Sequence, residues 1–336
     1  MRVAILAHER FPDDAKTGVG VLRYGDHEVV AVLDRERAGQ RVHDSLPEVQ
    51  DAPVVAGMDD APDCDALLIG IAPIGGGFED SWRPDVAAAL ERGCDIVSGL
   101  HYALGEDEQF RALAENHDAE IRDVRQSPGD LTVAAGTASE VDAHVVLTVG
   151  TDCSSGKMTA SYELREAARE RGIDAEVVPT GQTGIMISDW GIAIDRVISD
   201  FAAGATERLV ERAGDHDVLF VEGQGALVHP AYSGVTTAIL HGAQPDSLVL
   251  CHVAGKQRVG GYESFALPEP GAYAQLYESM AAPVSGATVD AGFLNTAEFD
   301  RNAADDHLAA YERALDAPVT DPVRDGVGAV LDAVLP

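Results

Sequence analysis

Residues 145–159, Val-Val-Leu-Thr-Val-Gly-Thr-Asp-Cys-Ser-Ser-Gly-Lys-Met-Thr, constrain the fold of this chain more than any other stretch. An apolar, β-branched run that stops at a glycine reads as a buried parallel strand, and the polar loop after it ends on Gly156-Lys157 at the start of a helical pattern. A loop of this kind turns successive backbone N–H groups toward one point at a helix N-terminus, where the helix dipole also favours an anion. The pattern predicts a phosphate cradle built from Gly150, Thr151, Asp152, Cys153, Ser154, Ser155, Gly156, Lys157, Met158 and Thr159. It holds one residue more between its glycines than the common Gly-x-x-x-x-Gly-Lys spacing.

The rest of the chain alternates strand and helix patterns, which argues an α/β fold with doubly wound parallel sheets. In the first part, strands are predicted at 2–7, 28–33, 66–71, 95–98 and 120–125, and helices at 84–92 and 106–118. Asp34 ends the second strand where a dinucleotide fold puts its ribose-binding acid, but the glycine fingerprint after the first strand is absent, so the half is read as Rossmann-like and no NAD site is assigned. Ala72-Pro73-Ile74-Gly75-Gly76-Gly77 reads as a loop at a strand C-terminal edge, where open α/β sheets bind ligands. The stretch 127–143, with Pro128, Gly129 and Gly136 among small residues, reads as the linker between a Rossmann-like domain at 1–126 and a phosphate-loop domain at 144–336. In that second domain, helices are expected at 157–171, 198–213, 303–315 and 322–334, and strands at 175–178, 218–222, 247–253 and 283–289.

Charge narrows the function. The 336 residues carry 57 acidic against 24 basic side chains, a net charge of −33, yet 46% are hydrophobic. A folded chain this acidic suits high salt, where self-repulsion is screened, and is a poor partner for nucleic acid or anionic membranes. No 18-residue apolar run occurs and the N-terminal Met-Arg-Val-Ala-Ile-Leu-Ala lacks the length of a signal peptide, so a cytoplasmic location is expected. Lysine has nearly vanished: only Lys16, Lys157 and Lys256 remain, each beside a glycine-containing loop, which marks them as places where a compact ammonium is required. Cys64, Cys94, Cys153 and Cys251 lie far apart with no Cys-x-x-Cys pair, so neither a zinc site nor a disulfide framework is indicated and no metal ligands are assigned. Of the four, only Cys153, inside the phosphate loop, has a route to a lowered pKa.

Several segments together carry a resemblance: Ala15-Lys16-Thr17 with Arg23-Tyr24, Gly70-Ile71-Ala72-Pro73, Ser98-Gly99-Leu100-His101, the 150–159 loop, Pro179-Thr180-Gly181-Gln182-Thr183-Gly184, and Glu222-Gly223-Gln224-Gly225 with His229-Pro230. They resemble the two-domain P-loop family that includes D-glutamate N-acetyltransferase, over nearly the whole chain. The Gly-Thr-Asp loop and the Val-Glu-Gly strand end are also similar to dethiobiotin synthetase, where such segments bind ATP phosphates and Mg²⁺. Here the residue after the loop lysine is Met158, which has no hydroxyl for Mg²⁺. That departure fits a phosphate held as a handle, as coenzyme A presents, better than one being cleaved.

The resemblance implies acetyl transfer from acetyl-CoA, held by 150–157, to the amine of an acidic amino acid such as D-glutamate. The chemistry needs a base for the amine, for which Glu222, His229 and His101 are candidates, and cations for the substrate carboxylates, for which Lys16, Arg23, Lys256 and Arg258 are candidates. Glu222 also reads as a loop-fixing acid. The rival is an ATP- and Mg²⁺-dependent ligase or kinase, with Lys157 on the γ-phosphate and Glu222 on the metal. A nucleotide-sensing regulator is a third, non-enzymatic reading. A homo-oligomer is compatible with all three.

Overall fold

The computed structural model describes residues 1–71 and 76–336. Four residues of the predicted edge loop, Ala72 to Gly75, lie outside the described residues. The chain forms two compact units, one of residues 1–127 with 182–193, the other of residues 128–181 with 194–336.

The first unit opens with β1 (Arg2–Leu6), α1 (Lys16–Tyr24), β2 (Glu28–Leu33), β3 (Val54–Val55), β4 (Ala66–Ile69), α2 (Arg83–Glu91), β5 (Asp95–Ser98), α3 (Glu108–His117) and β6 (Ile121–Asp123). Apart from the half-buried edge strand β6, its strands are mostly short β-branched and aliphatic runs, which bury both faces of a parallel sheet. The strand order is β3-β2-β1-β4-β5-β6, with every pair parallel. The chain runs outward from β1 and then returns to its other side, so the order reverses between β1 and β4, the switch point typical of dinucleotide-type sheets. Lys16 opens α1, a short helix that carries Gly18 and Gly20. The helix presses its first turn on the end of β4, where Gly18 N–H donates to Gly70 O at 2.8 Å. A Cβ on Gly70 would meet Ile5 Cγ2 at 2.4 Å, which explains the glycine there. Asp34 is buried and accepts the backbone N–H groups of Phe11 (3.2 Å) and Glu36 (2.9 Å), so it fixes the loops after β1 and β2.

The second unit begins with β7 (His144–Gly150), α4 (Lys157–Glu170) and β8 (Ala175–Val178). The chain then contributes α5 (Gln182–Ser188) to the first unit, where Thr183 hydrogen-bonds Thr17 at 2.8 Å, and Ile185, Met186 and Ile187 are buried. Back in the second unit follow α6 (Ser199–Ala213), β9 (Val218–Glu222), α7 (Ser233–Ala243), β10 (Ser247–Val253), β11 (Arg258–Val259), β12 (Tyr262–Ala266), α8 (Pro270–Ala281), β13 (Thr288–Asn295), α9 (Arg301–Leu315), β14 (Val319–Thr320) and α10 (Gly328–Val334). The main sheet is again all parallel, in the order β14-β13-β10-β7-β9-β8, with β11 and β12 as a separate antiparallel hairpin. Both sheets are thus the α/β architecture read from the sequence.

Two elements depart furthest from expectation. The strand placed at 283–289 runs instead over Thr288–Asn295, because Pro283 and Gly286 break the chain before it. The helix placed at 322–334 starts only at Gly328, after Gly326 takes a left-handed backbone (φ +74°). No helix among the described residues is long and apolar enough to cross a membrane.

Candidate functional site

Register in the second sheet gathers the chemistry at one edge. Gly150 lies beside Cys251 and Thr148 beside Glu222, so the C-terminal ends of β7, β9 and β10 deliver the 151–157 loop, Glu222 and His252 together. Two stacked phenols fix the start of the loop: Tyr277 donates to Gly150 O at 2.7 Å and Tyr273 to Thr151 O at 2.8 Å, with ring centroids 5.7 Å apart. Both tyrosines come from one face of α8, four residues apart. Ser154 (φ +54°) and Gly156 (φ +96°) then take left-handed backbone immediately before α4, the alternation that forms an anion-binding nest. A Cβ on Gly150 would meet Ser155 Oγ at 2.4 Å and Lys157 Nζ at 2.8 Å, so a larger residue there would push the loop's own polar side chains aside.

Asp152 is the electrostatic centre. It is 1% exposed, and its Oδ2 accepts the Gly260 N–H at 2.7 Å and lies 2.8 Å from Lys256 Nζ, while its Oδ1 accepts the Cys153 N–H at 2.7 Å. Burial alone would raise this carboxyl; the Lys256 ammonium and the two N–H groups outweigh it and hold the pKa below the ordinary carboxylate value. Lys157, 7% exposed, folds over the same residue from the other side, with Nζ donating to Asp152 O at 2.8 Å and to Ser155 Oγ at 3.4 Å.

His229 faces this centre. It is 2% exposed, packed on Tyr232 and Tyr262 at centroid distances of 4.6 and 5.1 Å, with Nε2 3.9 Å from Asp152 Oδ1. Its Nδ1 accepts the Ala231 N–H at 3.2 Å, so in the neutral ring the hydrogen sits on Nε2. Burial lowers its pKa first, with Lys157 and Lys256 acting in the same direction against Asp152, so the neutral form is favoured. His229 therefore presents an N–H toward the loop. Asp152, Cys153 and His229 bring oxygen, sulfur and nitrogen atoms within 4.8 Å of one another, a grouping their separation along the chain hides. In the tautomer set by the Ala231 hydrogen bond, Nε2 carries the hydrogen and offers this grouping a donor.

Glu222, 4% exposed at the end of β9, accepts the N–H groups of Thr180 (3.3 Å) and Gly181 (3.2 Å) on Oε2, and Thr180 Oγ1 donates to its carbonyl. It fixes the 179–181 turn, as a loop-anchoring acid does. Met158, 5% exposed, sits one position beyond the loop lysine. The sequence reading missed His252, which bonds Thr151 Oγ1 through Nδ1 at 2.7 Å and stacks on Tyr311 at 5.5 Å; burial pushes its pKa down to about 4.

Two depressions flank the loop. A cleft of about 530 Å³ is lined by His252, Lys256, Arg258, Glu269, His307 and Tyr311 among others. A smaller, largely apolar slot of about 190 Å³ has Ser155, Gly156 and Thr159 on one side and Phe293, Pro322 and Val323 on the other. Of the carboxylate-clamp candidates, Lys256 and Arg258 line the larger cleft. Lys16 and Arg23 belong to the first unit, on α1, where Arg23 is ion-paired with Glu48 at 2.5 Å. His101 also belongs to the first unit, exposed just after β5, its N–H on Gly76 O at 2.9 Å.

Comparison with known proteins identifies the family. A P-loop domain described as a domain of unknown function (DUF1611_C) matches residues 132–331, and the companion Rossmann-like domain (DUF1611_N) matches residues 35–127. A crystal structure of a DUF1611 family protein from Anabaena variabilis superposes with a TM-score of 0.92 at 40% identity, covering 99% of this chain and 98% of that one. Two proteins named D-glutamate N-acetyltransferase are each 35% identical: one from Pseudoalteromonas over 79% of this chain and 80% of the relative, one from Tritonibacter scottomollicae over 80% of each. With a Rossmann-like N-terminal domain and a P-loop C-terminal domain matched in the same order, the chain belongs to the DUF1611 family.

Proposed function

We propose that this protein is an N-acyltransferase that moves an acetyl group from acetyl-CoA to the amine of an acidic amino acid, D-glutamate foremost. The names of the two relatives support acetyl transfer. The observation in the fold that carries the reading is Met158: an intact phosphate nest with a buried thioether where a metal-binding hydroxyl would stand favours holding a phosphate over transferring one.

In this reading the nest at 154–157 and Lys157 hold the phosphates of the donor, and the apolar slot beside Ser155 and Thr159 takes its adenine. The acceptor lies in the cleft lined by Lys256 and Arg258, whose cations reverse the local potential of a very acidic protein and pair with the substrate carboxylates. The amine nitrogen attacks the thioester carbon, the carbon–sulfur bond breaks, and the proton lost by the amine ends on the coenzyme A thiolate. His229 acts as a neutral N–H donor to the developing negative charge, not as the base the sequence suggested. Glu222 anchors a turn at the same sheet edge.

Thr159, one position after Met158 on the wall of the slot, favours the second reading, an ATP- and Mg²⁺-dependent ligase or kinase, by offering a displaced hydroxyl. Calorimetry separates the two. Acetyl-CoA is expected to bind in excess EDTA, and Lys157→Met to weaken it by about 1.5–3 kcal/mol, the worth of a hydrogen bond to a charged group, with the fold intact by circular dichroism. Binding of ATP alone, and only with Mg²⁺, would install the second reading.

A further inference from the structure

Cys64 and Cys94 are 30 residues apart in the chain, and nothing in their spacing pairs them. The first sheet does. Cys64 precedes β4 and Cys94 precedes β5, and β4 and β5 run parallel with Ala66 beside Asp95, so the two residues meet at the N-terminal edge of the sheet, the end away from the switch-point crevice. Their sulfurs are 3.7 Å apart, in van der Waals contact, and the Cys94 thiol also lies 3.1 Å from Cys64 O. Cys94 is buried while Cys64 is partly exposed, so one sulfur is open to a reagent and the other is held behind it. Arg92 holds the loop before Cys64 through Met58 O at 2.7 Å, Ala61 O at 3.2 Å and Pro62 O at 3.1 Å, and also reaches Asp63 at 3.5 Å.

We infer that Cys64 and Cys94 form a thiol–disulfide exchange site that takes a low-molecular-weight disulfide as its reaction partner. The Cys64 thiolate attacks one sulfur of the partner, that sulfur–sulfur bond breaks, and one thiol leaves, giving a mixed disulfide on Cys64. Cys94 then loses its proton and attacks the Cys64 sulfur, releasing the second thiol. Two electrons pass from the cysteine pair to the partner, and the protein keeps an internal disulfide across β4 and β5. The order of attack follows exposure and acidity: the hydrogen bond from Cys94 lowers the Cys64 pKa, burial opposes it, and Arg92 adds to the lowering, whereas Cys94 is shifted upward. The site is independent of the acyl-transfer reading, because all its atoms lie in the first unit.

The test is to equilibrate the full-length protein with oxidised dithiothreitol or oxidised glutathione, then alkylate in denaturant with N-ethylmaleimide and map the peptides without reduction. The expected result is one intramolecular Cys64–Cys94 link, two thiols fewer to alkylate, and full reversal by reduced dithiothreitol. Cys64→Ser is expected to abolish the link, while Cys94→Ser should trap glutathione on Cys64. Should Cys94→Ser fail to fold, the wild-type map and Cys64→Ser decide the matter. Four alkylated cysteines at every oxidant ratio, or links that join other cysteines or two chains, would overturn the assignment.

Discussion

The Lys256 ammonium lies 2.8 Å from Oδ2 of Asp152, a carboxylate buried at the heart of the phosphate loop, while Lys157 caps the carbonyl of the same residue at 2.8 Å. Two of the three lysines in the chain therefore converge on Asp152, across a separation of about a hundred residues in the case of Lys256. This is a physical reason for their survival in a protein otherwise nearly free of lysine. A flexible ammonium can neutralise the carboxylate and still turn toward an arriving anion.

Removing the Lys256 cation leaves Asp152 with only backbone donors. Lys256→Met is expected to destabilise the protein by about 2 kcal/mol at pH 7 in urea unfolding, the scale of a hydrogen bond to a charged group. Asp152 has a folded pKa below its unfolded value, so its contribution is present above the unfolded pKa of about 3.9 and is lost as pH falls through the lowered folded value. The gap between wild type and variant should accordingly close in strong acid. Equal stability at pH 7 would show that the pair adds nothing to the fold.

His252 sets a second pH dependence. Its pKa falls from 6.5 in the unfolded chain to about 4 in the fold, so the unfolded state takes up the proton first as pH drops. Stability from this group is full above pH 6.5 and is lost between 6.5 and 4, about 2 kcal/mol of it between pH 7 and pH 5. His252→Asn, which keeps a partner for the Thr151 hydroxyl, should flatten the unfolding free energy over that window. An unchanged slope would place the titration elsewhere.

Salt should matter to this chain more than to most. At a net charge of −33 the carboxylates repel over a Debye length that grows from ~3 Å at 1 M salt to ~30 Å at 0.01 M. The melting temperature is expected to rise steeply with sodium chloride between those limits. A flat profile would contradict adaptation to high salt.

The phosphate loop was legible in sequence because its signal is local: β7, the glycines and the first turn of α4 are contiguous, and the strands at 28–33, 95–98, 175–178 and 247–253 also fall within a residue of expectation. The hairpin of β11 and β12 was not, because Tyr262 to Ala266 are all exposed and show no inward-outward alternation. Helix α5 packs in the first unit although its sequence sits inside the second, and only tertiary contact with α1 reveals that. The Asp152 cluster, the Tyr273 and Tyr277 anchors and the Cys64–Cys94 contact all depend on strand register, which composition and spacing do not encode. The clamp candidates divide for the same reason: Lys256 and Arg258 reach the cleft beside the loop, whereas Arg23 answers Glu48.

The central claim is acetyl transfer without metal or ATP, and turnover tests it most directly. Free thiol is followed after mixing the protein with acetyl-CoA and either D- or L-glutamate in high-salt buffer containing EDTA. The account predicts thiol release that depends on the amino acid, is faster with the D isomer, and needs neither Mg²⁺ nor ATP. No release with either isomer, together with ADP formation that appears only when Mg²⁺ and ATP are supplied, would contradict it.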